Sequence, residues 1–184
     1  MVREFVIGVT GASGSIYAQR LLEVLCQSHT VHIILSDTAR EIASHEGVDL
    51  DNFKAVYHDN RDLAAPIASG SYRFEQMAIV PCSAKTLAAV SHGLANNLIG
   101  RAADVALKER RGLVLLLREM PLSRVHLRNM LLADESGATV MVASPGFYHR
   151  PRTVEDLVDM VVGRVLDHLG VEHNLMERWK GYDA

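Results

Sequence analysis

The chain has 184 residues, of which 48% are hydrophobic and 22% are charged, and its formal net charge is −3. This ordinary globular mixture predicts a single domain over residues 1–184, with 171–184 as a C-terminal tail. No basic stripe suggests nucleic acid as a partner. No apolar run reaches the ~18 residues that cross a bilayer, and no signal peptide precedes the first strand, so we expect a cytoplasmic protein. Neither the cysteines nor the scattered histidines have metal-ligand spacing, so we expect no metal.

Short apolar runs alternate with segments of helical periodicity. The runs predicted as strands are 5–9, 31–35, 77–80, 113–117 and 138–143, and residues 51–76 are predicted as a long irregular loop. Such an alternation predicts an α/β fold with a mainly parallel, doubly wound sheet. The unbroken apolar run 113–117 is typical of a strand that helices cover on both faces.

The first strand leads into a turn with Gly8, Gly11 and Gly14, and then into a helix. This arrangement can hold a phosphate, because glycine lets the backbone approach an anion and the helix N-terminus supplies free amide hydrogens. A tight strand-to-helix turn also needs glycine without any ligand, so both interpretations stay open. The glycine spacing differs from the dinucleotide and ATP-binding motifs, which argues against a plain NAD-binding domain.

Two further strand-to-helix turns are rich in small polar side chains. Ser36 follows the second strand and opens a helix that should end near Glu46, before Gly47. The segment 81–86, Pro-Cys-Ser-Ala-Lys-Thr, follows the third strand. The serines of these turns are either N-caps only or N-caps that also contact a ligand at the carboxyl edge of the sheet.

The helix that begins near Arg101 carries cations, and a buried strand follows it. Arg101 and Lys108 are seven residues apart, which places them on nearly the same helical face about 10 Å apart. Gly112 is predicted to end this helix. Arg118 and Glu119 follow the strand at its carboxyl end, where open α/β sheets bind ligands, so they indicate chemistry with an anion and a proton. Alternatively, Lys108 only offsets the helix dipole and Glu119 only pairs with an arginine.

Polar groups therefore follow each of the predicted strands. In an open α/β sheet the carboxyl ends of the strands form one rim, so we expect these groups to meet in one ligand crevice. The groups are Ser13, Ser36, 82–86, Arg118 with Glu119, and Tyr148.

Together, these motifs closely resemble those of the flavin prenyltransferases, the UbiX or Pad-type family. The resemblance covers nearly the whole chain in the same order, and the long central motifs are specific. The motifs are Gly11-Ala-Ser-Gly14, Pro81-Cys-Ser-Ala-Lys-Thr-Leu87, Arg101-Ala-Ala-Asp-Val105, Leu107-Lys-Glu-Arg-Arg111, Arg118-Glu-x-Pro-Leu122 and Pro145-Gly-Phe-Tyr148.

The resemblance implies a Rossmann-like or flavodoxin-like fold that binds FMN and needs no metal. It implies transfer of a dimethylallyl group from dimethylallyl monophosphate to N5 and C6 of reduced FMN, which closes a fourth ring. The prenylated FMN is then handed to a partner decarboxylase of the UbiD type. The family also forms large homo-oligomers, with a dodecamer expected, whose pockets lie at subunit contacts.

The resemblance also assigns roles by position. Its FMN contacts correspond to Gly11, Ala12, Ser13, Ser36, Ser83, Ala84, Lys85, Thr86 and Arg118. Its prenyl-phosphate contacts correspond to Tyr148 and Arg164, supported by Arg101 and Lys108, and its reaction-pocket residues to Glu119, Lys108, Arg101, Glu46 and Ser13. Ala84 stands where methionine is common in the family, which implies a slightly roomier pocket. In these roles the cations neutralise a departing phosphate and Glu119 moves a proton.

Two alternatives share this fold and FMN. One is a relative that decarboxylates peptidyl- or pantothenoyl-cysteine, but that relative has Pro-Ala-Ser-Ala-Asn-Thr where this chain has the 81–86 segment. The other is a non-catalytic FMN-binding subunit of an aromatic acid decarboxylase. In that case the cations and Glu119 would be unnecessary.

Overall fold

The computed structural model describes residues 2–179 and residue 181, and within these residues strands and helices alternate along the chain. The strands of the described part are β1 Glu4–Val9, β2 Thr30–Leu35, β3 Val56–Asp59, β4 Gln76–Cys82, β5 Gly112–Leu117 and β6 Thr139–Val142. The helices are α1 Ser15–Leu25, α2 Asp37–Glu46, α3 Ala84–Ser91, α4 Leu98–Lys108, α5 Arg124–Glu135 and α6 Val154–His168.

The strands form one sheet in the order β3-β2-β1-β4-β5-β6, and every neighbouring pair in the described part of the chain is parallel. This is the strand order of the doubly wound Rossmann architecture, so the predicted fold class is confirmed. The order reverses between β1 and β4. Ligands of such sheets bind outside the carboxyl ends of the strands at this switch point.

Helices cover both faces of the sheet. Helices α1, α2 and α6 pack on one face, and α3, α4 and α5 pack on the other. The predicted apolar run in β5 is buried throughout, from Leu113 to Leu117. Burial of a strand on both faces explains why its sequence is continuously apolar rather than alternating.

The predicted irregular loop 51–76 contains structure that the sequence prediction missed. β3 lies within it and pairs with β2 from His32 opposite Val56 to Leu35 opposite Asp59. A 3₁₀ turn follows at Pro66–Ala68. The prediction was wrong here because β3 is a short, half-exposed edge strand, Val-Tyr-His-Asp, whose pattern carries little apolar signal without its neighbour.

The bounds of α4 also differ from the prediction. The helix begins at Leu98 behind the N-cap Asn97, whose side chain accepts a hydrogen bond from the Gly100 amide. It ends at Lys108, and Arg110 makes the turn with a left-handed backbone φ of 57°. Gly112 is therefore the first residue of β5 and does not end the helix, because the left-handed position that commonly closes a helix is supplied by Arg110.

A buried threonine after β1 links the end of that strand to the end of β4 on the other side of the switch point. The Thr10 hydroxyl donates to the Pro81 carbonyl oxygen at 2.9 Å and accepts from the Ser83 amide at 2.8 Å. Thr10 is 3% exposed, so water does not replace these bonds easily. The hydroxyl therefore fixes the turn after β1 against the turn after β4.

We expect Thr10→Val to lower the free energy of unfolding by about 1–3 kcal/mol, because it keeps the side-chain shape but removes the buried hydroxyl that accepts from the partly buried Ser83 amide. Urea denaturation measures the effect. Thr30→Val, at an exposed position that begins β2, is the control and should change stability by less than about 0.5 kcal/mol. Equal losses in the two variants would contradict this role of Thr10.

Candidate active site

A cavity of about 420 Å³ opens at the carboxyl edge of the sheet, around the switch point between β1 and β4. This volume lies within the range of small-molecule and cofactor sites. Side chains from the ends of β1, β2, β4 and β5 surround it. It is lined by Thr10, Gly11, Ala12, Ser36, Asp37, Thr38, Asn60, Ser83, Ala84, Lys85, Thr86, Asn97, Ile99, Arg118 and Glu119.

The serines predicted as helix caps have that role and also line the cavity. The Ser36 hydroxyl oxygen accepts from the Ala39 amide at 3.1 Å. The Ser83 hydroxyl oxygen accepts from the Thr86 amide at 3.2 Å and donates to the Thr86 hydroxyl. Both interpretations left open by the sequence are therefore compatible, since a cap places its helix N-terminus at the edge where a ligand binds.

The positive charge of the cavity comes from the turn after β4 and from the end of β5. Lys85 lies in the first turn of α3, where the helix dipole adds positive potential. The Arg118 Nε donates to the Ser13 carbonyl oxygen at 3.0 Å, which ties the end of β5 to the turn after β1. A helix N-terminus beside two cations favours a ligand that carries phosphate.

Glu119 supplies a carboxylate next to these cations. It follows Arg118 directly and lines the same cavity. One of its carboxylate oxygens accepts from the Met120 amide at 3.1 Å, so the other can reach a ligand. A carboxylate beside an anion-binding surface can accept or deliver a proton there.

The turn after β1 contributes less to anion binding than its glycines suggest. A Cβ on Gly11 would come within 2.7 Å of the Thr38 side chain, so glycine is needed here for the close approach of α2. The N-terminus of α1 is covered by Glu46, whose carboxylate accepts from the Gly14 amide at 2.9 Å and the Ser15 amide at 2.7 Å. In this structure the Gly14 and Ser15 amides therefore donate to Glu46 and not to a ligand.

Arg101 and Lys108 lie away from this cavity within the single chain. Both are on the face of α4 that meets the segment after β3, as their spacing predicts. Arg101 donates to the Ala68 carbonyl oxygen at 2.9 Å and to Asp104 at 2.7 Å. Lys108 is paired with Glu109, beside Gly70. In the described part of the chain these cations do not line the cavity that holds Arg118.

Tyr148 and Arg164 also lie outside the cavity lining. Tyr148 is half-exposed in the loop before α6, and its ring meets the rings of His149 and Trp179 edge to face at 5.6 Å each. Arg164 lies on α6 and donates to Asp167 at 2.7 Å. Within the described residues, the cavity thus collects Ser36, the 83–86 turn and Arg118 with Glu119 from the predicted rim. Tyr148 and Cys82 do not line it, and Ser13 is connected to it through the hydrogen bond from Arg118.

Sequence reasoning missed cavity residues whose roles depend on tertiary contacts. Asn60, just after the unpredicted β3, accepts from the Leu98 and Ile99 amides through its carbonyl and side-chain oxygens. Together with the Asn97 cap it fixes the start of α4 at the cavity. The position of Asn60 after a strand was the available signal, and it was lost because that strand was not recognised.

No group of three or more His, Cys, Asp or Glu side chains in residues 2–179 and 181 is placed to hold a metal ion. Over the same residues, no helix combines the length and apolar character that crossing a membrane requires.

Glu46 should make stability depend on pH. Burial alone raises the pKa of Glu46, but hydrogen bonds from Ser13, Gly14 and Ser15 hold it below its ordinary value of 4.5. The stability that ionised Glu46 gives to the folded protein is therefore fully present above pH 4.5 and is lost as the pH falls through the lowered pKa. We expect Glu46→Gln to lower the free energy of unfolding by about 0.5–1 kcal/mol near neutral pH, because the neutral amide interacts more weakly with the helix dipole than the carboxylate does. In acid the substitution should change it little, because the wild-type carboxyl group is then also neutral.

Urea denaturation of wild type and Glu46→Gln over a pH series measures this difference. Glu41→Gln, at an exposed position on the same helix, is the control and should follow wild type. A constant difference between Glu46→Gln and wild type at every pH would contradict the assignment.

Comparison with known proteins identifies the family. A family model described as Flavoprotein matches residues 2–166. The flavin prenyltransferase UbiX of Deinococcus radiodurans is 50% identical over 184 residues, covering 97% of this chain and 94% of that protein.

Solved structures agree with this result. AnUbiX in complex with FMN and dimethylallyl pyrophosphate has a TM-score of 0.94 at 40% identity and covers 100% of both chains. A dodecameric FMN-dependent UbiX-like decarboxylase from Escherichia coli O157:H7 has a TM-score of 0.92 at 41% identity, covering 97% of this chain and 100% of that chain. With such similarity over nearly its whole length, the chain belongs to the Flavoprotein family and, within it, to the flavin prenyltransferases of the UbiX type.

Proposed function

We propose that this protein joins the dimethylallyl group of dimethylallyl monophosphate to N5 and C6 of reduced FMN, giving prenylated FMN. The observation that carries the proposal is the cavity at the switch point, which gathers the 83–86 turn, Arg118 and Glu119 beside one helix N-terminus. Relatives at this level of similarity are flavin prenyltransferases, and one solved relative contains FMN and dimethylallyl pyrophosphate together.

FMN fits the residues present in this cavity. The hydroxyl groups of Ser36, Ser83 and Thr86 and the Lys85 ammonium offer donors to a phosphate and a ribityl chain. Ala12 and Ile99 provide apolar surface for a ring system. We assign Gly11, Ala12, Ser13, Ser36, the 83–86 turn and Arg118 to FMN binding, of which Ser13 acts through its backbone contact with Arg118.

The reaction breaks the C1–O bond of the prenyl phosphate, and the electron pair leaves with the phosphate. Reduced FMN, as acceptor, supplies the N5 and C6 atoms at which the new bonds form. The proton displaced from N5 balances the departing phosphate, and the proton displaced from C6 returns to the prenyl double bond. Glu119 is a carboxylate at the cavity that can hold these protons in transit, while cations stabilise the departing charge.

The cations outside the cavity need a second copy of the chain to take part. We propose that Arg101, Lys108, Tyr148 and Arg164 serve the cavity of a neighbouring subunit, with Glu46 close to the reaction pocket. Dodecameric assembly of the Escherichia coli relative supports this proposal. We further propose that the reaction occurs in the cytoplasm and that a UbiD-type decarboxylase receives the product.

The proposed function predicts a new flavin species. Purified protein incubated with reduced FMN and dimethylallyl monophosphate should yield a flavin heavier by one five-carbon unit in mass spectrometry, and the pyrophosphate is tested in parallel because a relative binds it. A protein that binds FMN but gives no such flavin with either donor would instead be a flavin carrier. Carbon dioxide release from a cysteinyl substrate would indicate the related decarboxylase activity.

Glu119→Gln should lower the turnover number by about 100-fold or more, because the amide cannot accept or deliver a proton. FMN affinity should stay near that of wild type, since the cavity keeps Arg118 and the 83–86 turn. Glu135→Gln, at the end of α5, is the control and should remain fully active. Loss of FMN together with activity would refute the proton-transfer role.

A further inference from the structure

Asp167 gathers side chains from α6 and from the C-terminal tail. Its carboxylate accepts from Arg164 at 2.7 Å, from Arg178 at 2.7 Å and from His173 at 3.2 Å. The Asp167 side chain is 17% exposed, whereas those of Arg164 and Arg178 are 46% and 58% exposed. The carboxylate is thus the sheltered centre of the cluster, and the guanidinium groups lie toward solvent.

The charges in this cluster are unequal. Arg164 and Arg178 carry one positive charge each and share the carboxylate of Asp167, so the group as a whole keeps a positive excess. Burial alone raises the pKa of Asp167, but hydrogen bonds from Arg178 and His173 and the positive charge of Arg178 hold the pKa below its ordinary value. Asp167 is therefore ionised near neutral pH, and the positive excess can still attract a phosphate.

The C-terminal tail packs against α6 next to Gly163. A Cβ on Gly163 would lie 2.9 Å from His173 Cε1 and 3.2 Å from Met176 Sδ, so glycine at this position allows the tail to pack beside Arg164. The His173 Nδ1 accepts from the Leu175 amide, which directs the Nε2 proton toward Asp167. The imidazole thereby joins the tail backbone to the carboxylate.

The tail also reaches Tyr148. Trp179 directly follows Arg178, and its ring meets the Tyr148 ring edge to face at 5.6 Å. Neighbouring tail residues thus contact Asp167 and the aromatic ring that we assign to phosphate binding. The tail thus contacts Asp167, the partner of Arg164, through Arg178 and contacts Tyr148 through Trp179.

We propose that Asp167 is a positioning residue that holds the Arg164 guanidinium, together with the tail, in place for the phosphate of the prenyl substrate. The inference rests on the proposed function, because it takes Arg164 as a phosphate contact. A long, half-exposed arginine loses conformational freedom when it binds an anion. A partly buried carboxylate that already fixes its orientation reduces that cost, so its removal should weaken substrate binding more than FMN binding.

The test compares Asp167→Asn with Asp159→Asn in the full-length protein. Asp159 lies on the same helix, is 22% exposed and pairs with Arg20 at 2.5 Å, so its substitution removes a similar ion pair away from Arg164. We expect Asp167→Asn to raise the KM for dimethylallyl monophosphate by about tenfold, the loss expected for one charge-assisted hydrogen bond, with FMN affinity unchanged. Asp159→Asn should leave that KM within about twofold of wild type.

An Arg164→Ala background separates positioning from general destabilisation. If Asp167 acts through Arg164, adding Asp167→Asn to Arg164→Ala should change KM by less than about twofold. If Asp167→Asn does not fold, Asp167→Glu decides, because it keeps the charge but moves it by one methylene and should raise KM about threefold.

Equal KM effects of the Asp167 and Asp159 variants, or an undiminished effect of Asp167→Asn without Arg164, would overturn the inference while leaving the proposed function standing. An unchanged KM in Asp167→Glu, where the asparagine variant does not fold, would also overturn it. Wild-type protein that transfers no prenyl group would refute the proposed function itself and this role with it.

Discussion

The contact between the turns after β1 and β4 is the constraint on which the site depends. Both strands end at the switch point, where the helices that follow them leave toward opposite faces of the sheet and a gap opens beyond the strand ends. The Thr10 hydroxyl bridges this gap by accepting from the Ser83 amide and donating to the Pro81 carbonyl oxygen. Because Ser83 also caps α3, one buried hydroxyl fixes the position of a helix N-terminus relative to the glycine turn. The width of the cavity follows from this contact and from the tie between Arg118 and Ser13.

Local sequence patterns predicted the elements that depend only on residues close together in the chain. The apolar runs, the caps Ser36 and Ser83 and the end of α2 at Gly47 depend on burial periodicity and on the conformational preferences of single residues, and all were predicted correctly. β3 was not predicted, because its own residues carry little apolar signal and its strand conformation depends on pairing with β2. Asn60 was missed with it. The interaction of Glu46 with the α1 N-terminus likewise joins residues that are distant in sequence, and no pattern in either segment indicates it.

The sequence located only part of the candidate site, because residues in turns after strands and residues on helices are positioned by different contacts. Residues in turns that directly follow strands, such as Lys85 and Arg118, are brought together by the sheet itself. Arg101 and Arg164 lie on helices, and in the described part of the chain neither side chain lines the cavity at the sheet edge. Their relation to a phosphate therefore depends on which subunit surface meets these helices, and motif order along one chain does not contain this information.

The ion pairs of these helical cations are consistent with a site completed by assembly. Arg101 pairs with Asp104 and Lys108 with Glu109, and these side chains are between 36% and 43% exposed. Pairs at such exposure contribute about 0–1 kcal/mol, so a phosphate dianion can replace the acidic partner at little cost. The pairing of Arg164 differs, because Asp167 is more buried and also holds Arg178 and His173. Its carboxylate cannot leave without exposing the packed tail. In the role that we propose for Arg164, a phosphate would therefore bind beside this pair rather than displace it, and the carboxylate would orient the guanidinium during binding.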